Sequence, residues 1–189
     1  LLDGASDLPV SVDLEHGYGS RPEDAAAAIE RVAAAGAVGG SIEDWDRDGG
    51  YLYDTEHAAE RVVAAAEAAR SLDFPFTLTA RAENHFRDNP DLEDTIVRLQ
   101  AYEAAGADVL YAPGLPDMAA IEAVVRAVAP KPVNVVFGPR SGPVPLATSP
   151  SRAARRRART WPGAGRSAGR TCRRRWPTRA CSTCCRTRD

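Results

Sequence analysis

Asp13 and Glu15 stand one residue apart in "VDLEHGYG", directly after a short apolar run, "LPVSV". Glu43 and Asp44 follow a second such run, "AVGGSI", and Arg81 and Glu83 follow a third, "FPFTLTA". Brought to one place, Asp13, Glu15 and Glu43 offer only hard oxygen ligands. That donor set suits Mg²⁺ or Mn²⁺ rather than zinc, since neither a cysteine nor a close histidine pair accompanies it. Such an ion keeps several waters and binds largely through its substrate's oxygens. Arg81 on a neighbouring strand can fork onto a carboxylate or phosphoryl group. A metal and a guanidinium around a small anion can stabilise an enolate as it develops. Gly17 and Gly19 let the backbone turn close to the paired charge. The plainer reading of one carboxylate at a strand end is a solvated rim residue or a helix cap, and it suits Asp44. His16, His57 and His85 lack ligand spacing, and Trp45 and Tyr51 fit a pocket wall or loop packing equally well.

The elements that must position these groups alternate in period. "LPVSVDL", "AVGGSI", "FPFTLTA", "ADVLYAP" and "KPVNVVF" are short, apolar and bounded by Gly or Pro, as strands buried on both faces should be. Four helical patterns lie between them. The first enters on Pro22, runs through Ile29 and Val32 and stops at Gly36. The second follows Asp54 and Thr55 and is expected to bury Ala59, Val62, Val63 and Ala66. The third has Asp91 as N-cap with Leu92, Ile96 and Leu99 on one face, and the fourth follows Asp117 and uses Ile121, Val124 and Val128. Repeating strand–helix units argue for a parallel sheet. Polar residues recur at the carboxyl ends of successive strands, with the fifth ending near Asn134. A β/α barrel needs that rim, whereas an open sheet concentrates its polar groups at one crevice. No glycine-rich nucleotide fingerprint is present. The expected fold is α/β, a partial (β/α)8 TIM barrel of about five parallel strands.

The formal charge of −2 over 189 residues hides a split. Residues 1–150 hold 11 basic and 25 acidic side chains, and residues 151–189 hold 13 basic and one acidic. All four cysteines lie in the second stretch, as Cys172, Cys181, Cys184 and Cys185. No apolar run approaches a membrane span and the opening residues do not read as a leader, so a soluble cytoplasmic protein is expected. The chain opens on Leu1 and is already in a strand by Val10, from which a missing N-terminal piece is expected.

"PVSVDLEHGYG" resembles the "PV-x-x-D-x-[DE]-x-GYG" signature of the phosphoenolpyruvate mutase/isocitrate lyase superfamily. "AGAVGGSIED" is similar to its "AGA-x-G-x-x-IED", "LTARAENHF" to its "ARTDA" or "ARxEA" strand, and "GADVLYAPGLPD" and "KPVNVV" to the two strands after it. The likeness runs over about residues 8–145 in family order. It implies a Mg²⁺-dependent lyase or phosphonomutase-type enzyme acting on a small anionic α-keto acid, 2-hydroxy acid or phosphonate through an enolpyruvate-like intermediate. It also implies a homo-oligomer for the intact family and no membrane partner. Asp13, Glu15 and Glu43 match the metal-shell acids, Arg81 the substrate-anion arginine, and Glu83 a further acidic position. The isocitrate and methylisocitrate lyases carry a "K-[KR]-CGH" loop after "IED". Here "WDRDGGYLYD" follows, with neither cysteine nor lysine, which argues against those two activities. The mutase's own gating loop is not visible either. What remains resembles the carboxyphosphonoenolpyruvate phosphonomutase-like or methylisocitrate lyase-like subgroup, with the family's first two strands expected before Leu1.

The expected division is a partial barrel over residues 1–147 and an irregular Arg/Cys-rich tail over 148–189. From Thr148 onward there is no Ile, Val, Leu, Phe or Met, so the tail cannot close a barrel. It reads in three ways. It is a basic arm for nucleic acid, a cysteine metal site of non-standard spacing, or out-of-frame translation of GC-rich DNA. The abrupt loss of large aliphatic residues favours the last, in a chain with 23 Arg against one Lys. Five of eight strands leave two sheet edges, so poor solubility and little activity are expected of the chain alone, as for an inactive fragment.

Overall fold

A computed structural model describes residues 8–136. The proposed boundary at residue 147, the tail and its cysteines lie outside the described residues. The strands are β1 (Ser11–Asp13), β2 (Gly39–Glu43), β3 (Trp45–Asp46), β4 (Tyr51–Leu52), β5 (Thr77–Arg81), β6 (Val109–Tyr111) and β7 (Val133–Asn134). The helices are α1 (Pro22–Ala34), α2 (Thr55–Arg70), α3 (Leu92–Ala104) and α4 (Met118–Ala127). Each helix starts where sequence chemistry puts a start. Pro22 opens α1, Asp54 caps α2 by accepting from the His57 amide at 2.8 Å, and Asp91 caps α3 from the Glu93 amide at 2.8 Å. Asp117 caps α4 from the Ala120 amide at 2.8 Å.

β1, β2, β5, β6 and β7 form one parallel sheet, in that spatial order. The order follows the chain without reversal, and α1 packs on α2, α2 on α3 and α3 on α4. A doubly wound sheet reverses its strand order and sends helices to both faces; continuous winding with neighbouring helices in contact is the wall of a barrel. The expected five-strand α/β architecture is therefore observed. Leu14, Ile29, Ile42, Leu78, Leu99, Leu110 and Val124 are buried in the core between sheet and helices.

Two local features depart from expectation. The segment after Asp44 forms an antiparallel hairpin, β3–β4, that the strand pattern does not announce. Asp46 makes its turn by accepting from the amides of Asp48 at 2.9 Å and Gly49 at 2.8 Å, so side-chain hydrogen bonds stand in for apolar alternation. The buried face of α2 is also rotated. Val62 and Ala66 are buried as expected, but Val63 is exposed and Ala58, Arg61, Ala65 and Ala69 are buried. An alanine-rich helix has little hydrophobic contrast to read, and α2 is wedged between α1 and α3, which bury two of its sides.

Gly17, after β1, has φ +80°, and a Cβ there would lie 3.1 Å from the Ala25 Cα. Gly17→Ala should lower unfolding free energy by about 1–2 kcal/mol in urea titration; a change of a few tenths would show that the turn relaxes. Gly19 serves differently from expectation: a Cβ there would come 2.5 Å from the Asp24 carboxylate, which is bonded to the Arg21 amide at 3.1 Å.

Candidate active site at the carboxyl rim of the sheet

Parallel register aligns the rim. Glu43 pairs with Arg81, Arg81 with Tyr111, and Tyr111 with Asn134, so these residues form one row across four strands. Asp13 pairs with Ser41, two residues before Glu43, and so faces the same side. Arg81 is the centre. Its Nη1 donates to Asp13 Oδ2 at 3.3 Å, its Nε lies 3.5 Å from Glu43 Oε2 and also donates to Glu83 Oε1, and its guanidinium sits 5.1 Å from the Tyr111 ring centroid. Asp13 Oδ1 accepts from Ser41 Oγ at 3.2 Å and from the Glu15 amide at 3.1 Å.

Asp13, Glu43, Arg81 and Glu83 are thus brought together. Glu15 is next to them through its backbone, since its carbonyl accepts from the Glu43 amide at 2.8 Å. Its carboxylate is instead paired with Arg47 of the hairpin, 3.4 Å away. Among the described residues no three acidic, histidine or cysteine side chains are already arranged as a ligand cage.

Arg87 is a second cation that the sequence pattern did not single out. Its Nη2 is 3.2 Å from Glu83 Oε2 and 3.9 Å from Glu43 Oε1, and its guanidinium lies 4.4 Å from the Trp45 ring centroid. The 3₁₀ turn Asn84–Phe86 carries it there. That turn is pinned by Asn84 Nδ2, which donates to Asn89 O at 3.0 Å, Asp91 O at 3.0 Å and Thr95 Oγ1 at 2.8 Å.

Asp44 is neither a solvated rim residue nor a helix cap. It is buried, with Oδ1 accepting from the Glu83 amide at 2.8 Å, and Oδ2 from Tyr102 Oη at 2.5 Å and Arg98 Nη1 at 3.1 Å. Arg98 also donates to Tyr53 O at 2.8 Å and through Nε to Asp94 at 2.9 Å. Burial raises Asp44 above the ordinary carboxylate value, against the pull of these donors. The positions Asp94, Arg98 and Tyr102 recur every four residues along α3. That spacing was the available signal for this inward polar face.

The rim is short of positive charge. Burial, and then the neighbouring Glu83 carboxylate, push Glu43 up to about 7, against the Arg81 charge. Glu83 is fully buried and its Oε2 has no hydrogen-bond partner of good geometry. An all-oxygen donor set with unneutralised negative charge fits a hard divalent ion, held mainly through water because no cage is preformed.

A family model described as phosphoenolpyruvate phosphomutase matches residues 3–151. The chain belongs to this family. An oxaloacetate decarboxylase of Bradyrhizobium diazoefficiens is 35% identical over 128 residues, covering 67% of this chain and 44% of that protein. A Burkholderia cenocepacia J2315 crystal structure, of a protein assigned only to the lyase/mutase class, shares 55% identity at a TM-score of 0.70. It is matched over 74% of this chain and 50% of its own. A phosphonopyruvate hydrolase solved with oxalate and Mg²⁺ shares 25% identity at a TM-score of 0.63, over 82% of this chain and 59% of its own. The chain therefore spans about half the length of these relatives. No helix among the described residues is long and apolar enough to cross a membrane.

Proposed function

We propose that this chain carries the catalytic rim of a Mg²⁺- or Mn²⁺-dependent enzyme acting on a small α-keto acid, 2-hydroxy acid or phosphonate, by carbon–carbon lysis or phosphonomutase-type chemistry. A cytoplasmic homo-oligomer is the setting this reading implies. The single observation that carries it is the row in which Glu43 and Arg81 face each other across β2 and β5, with Asp13 and Glu83 on the same guanidinium.

Asp13, Glu15 and Glu43 would hold the ion, largely through water. Bound there, the ion supplies Lewis-acid charge to the substrate's oxygens. The remaining work falls to side chains. Arg81 is held by Glu83 and the Tyr111 ring, so its planar fork meets a substrate carboxylate or phosphonate in a fixed orientation. The buried Glu83 keeps Arg81 from turning to solvent. Glu43, with its value near 7, holds a proton close to neutrality until a cation displaces it.

The test follows pyruvate release from oxaloacetate or phosphonopyruvate. Release should exceed the rate with Mg²⁺ alone, stop on adding EDTA, and fall roughly 100-fold in Arg81→Met. Release that ignores both EDTA and Arg81→Met defeats the reading. A second reading rests on its own observation: among the described residues, β1 and β7 each have one strand neighbour in the sheet. Open strand edges favour association, and on that reading the chain alone turns over little or nothing. A monomeric, cooperative thermal melt together with measurable turnover excludes it.

A further inference from the structure

Arg61, on α2, is 1% exposed, yet its partners are backbone carbonyls and not a carboxylate. Its Nη1 donates to Gly19 O at 2.8 Å and to Arg21 O at 3.0 Å, and its Nη2 donates to His16 O. The guanidinium lies 4.7 Å from the Tyr53 ring centroid. One turn earlier on the same helix, His57 Nε2 is 2.8 Å from Ser20 O. Two side chains of α2 therefore take the carbonyls of residues 16, 19, 20 and 21. A guanidinium does not shed its proton in a protein, and burying it is costly unless its donors are met. The fork is rigid, so meeting those donors dictates the shape of the loop.

That loop begins at Glu15. Glu15 has φ +53° and Tyr18 has φ +60°, in the left-handed region that L side chains seldom adopt. Within the segment, the Gly17 amide bonds to Leu14 O at 2.8 Å, one bond for a stretch with three residues at positive φ. Such a conformation persists when the surroundings over-determine it; Asp13 and the Glu43 amide hold the Glu15 end of the loop, and Arg61 and His57 hold residues 16 to 21.

We propose that Arg61 is a positioning residue for the metal shell: by taking the carbonyls of His16, Gly19 and Arg21, it holds the loop in the shape that keeps Glu15 beside Glu43 and Asp13. This rests on the reading that Asp13, Glu15 and Glu43 hold a divalent ion. Tyr53 extends the same control to the hairpin after β2, since its hydroxyl donates to Asp46 Oδ2 at 3.1 Å while its ring packs on Arg61.

The experiment compares the unsubstituted chain with Arg61→Lys, Arg61→Met and Val62→Ala. Val62 is buried one position along the same helix and serves as a control for destabilising α2 without touching the carbonyls of residues 16 to 21. Mn²⁺ binding is titrated by calorimetry, amide exchange is followed at residues 15–21, and thermal unfolding is recorded. Both Arg61 variants should weaken Mn²⁺ binding about tenfold or more and speed exchange at 15–21, because an ammonium cannot span three carbonyls as a planar fork does. Val62→Ala should lower the melting temperature while leaving both readouts unchanged. If Arg61→Met does not fold, Arg61→Lys decides. Affinity within twofold of the parent and unaltered exchange in Arg61→Lys overturn the proposal. Absence of Mn²⁺ binding by the parent chain overturns the metal reading and the role given to Glu15, and exchange at 15–21 then decides whether Arg61 clamps the loop.

Discussion

Replacing Asp44 by alanine should cost about 3–5 kcal/mol of unfolding free energy, the expected cost of removing one partner from a buried ion pair. Three donors lose their acceptor at once: the Glu83 amide, the Tyr102 hydroxyl and Arg98 Nη1. All three residues are buried, so water cannot easily replace the lost carboxylate. Arg98 would be left with Asp94 and the Tyr53 carbonyl. The damage should also reach the rim, because Asp44 links the ends of β2 and β5: its amide donates to Arg81 O at 3.2 Å while its carboxylate holds the Glu83 amide. Urea titration checks this, with the midpoint falling and the slope unchanged. Tyr102→Phe removes one donor and leaves the carboxylate its others, so its cost should stay near 1–2 kcal/mol, about that of one hydrogen bond to a charged group. An Asp44→Ala loss below about 1 kcal/mol would mean that the network adds no net stability.

Glu43→Gln should have the opposite sign, with an effect that grows as pH rises from about 4.5 to about 7 and is level above that. Folding raises Glu43 from its ordinary value to about 7, so the folded chain binds the proton more tightly than the unfolded one. Stability from that proton is fully present below the unfolded value and is lost as pH rises through about 7. Below the unfolded value, at about pH 4, the parent and Glu43→Gln should therefore be equally stable. At about pH 8 the metal-free Gln variant should be the more stable, by at most about 3 kcal/mol. Unfolding free energies at the two pH values measure this directly. Saturating Mg²⁺ should reverse the ranking at about pH 8, because the ion binds the ionised carboxylate and the amide offers it no charge. A Gln variant indistinguishable from the parent at about pH 8 without metal would show that Glu43 is better solvated than its burial indicates.

Much of the rim is legible in the amino-acid order. Asp13, Glu43, Arg81 and Glu83 each follow a short apolar run that reads as a strand, and parallel strands wound in chain order must present their carboxyl ends on one edge; β2 and β5 are largely buried as expected, whereas β1 leaves Ser11 and Asp13 exposed. The cap residues Asp54, Asp91 and Asp117 were equally plain, since capping is settled within three or four residues. The hairpin β3–β4, the inward face of α3 and the burial of Arg61 were not. The last two depend on polar side chains meeting partners far along the chain, as in Tyr102 with Asp44, and the hairpin on Asp46 accepting from the amides of its own turn and from Tyr53. No local pattern of hydrophobicity reports such a pairing.

The amino-acid order by itself therefore determined the strand–helix alternation, the parallel sheet and which acids reach its carboxyl edge, because periodicity and capping act over a few residues. Tertiary structure alone decided how those acids are used. It set Arg81 among Asp13, Glu43 and Glu83, turned the Glu15 carboxylate to Arg47, and made Asp44 a buried anchor. The physical reason is that a charge takes its role from its burial and from the groups within a few ångströms of it, and both are properties of the folded chain.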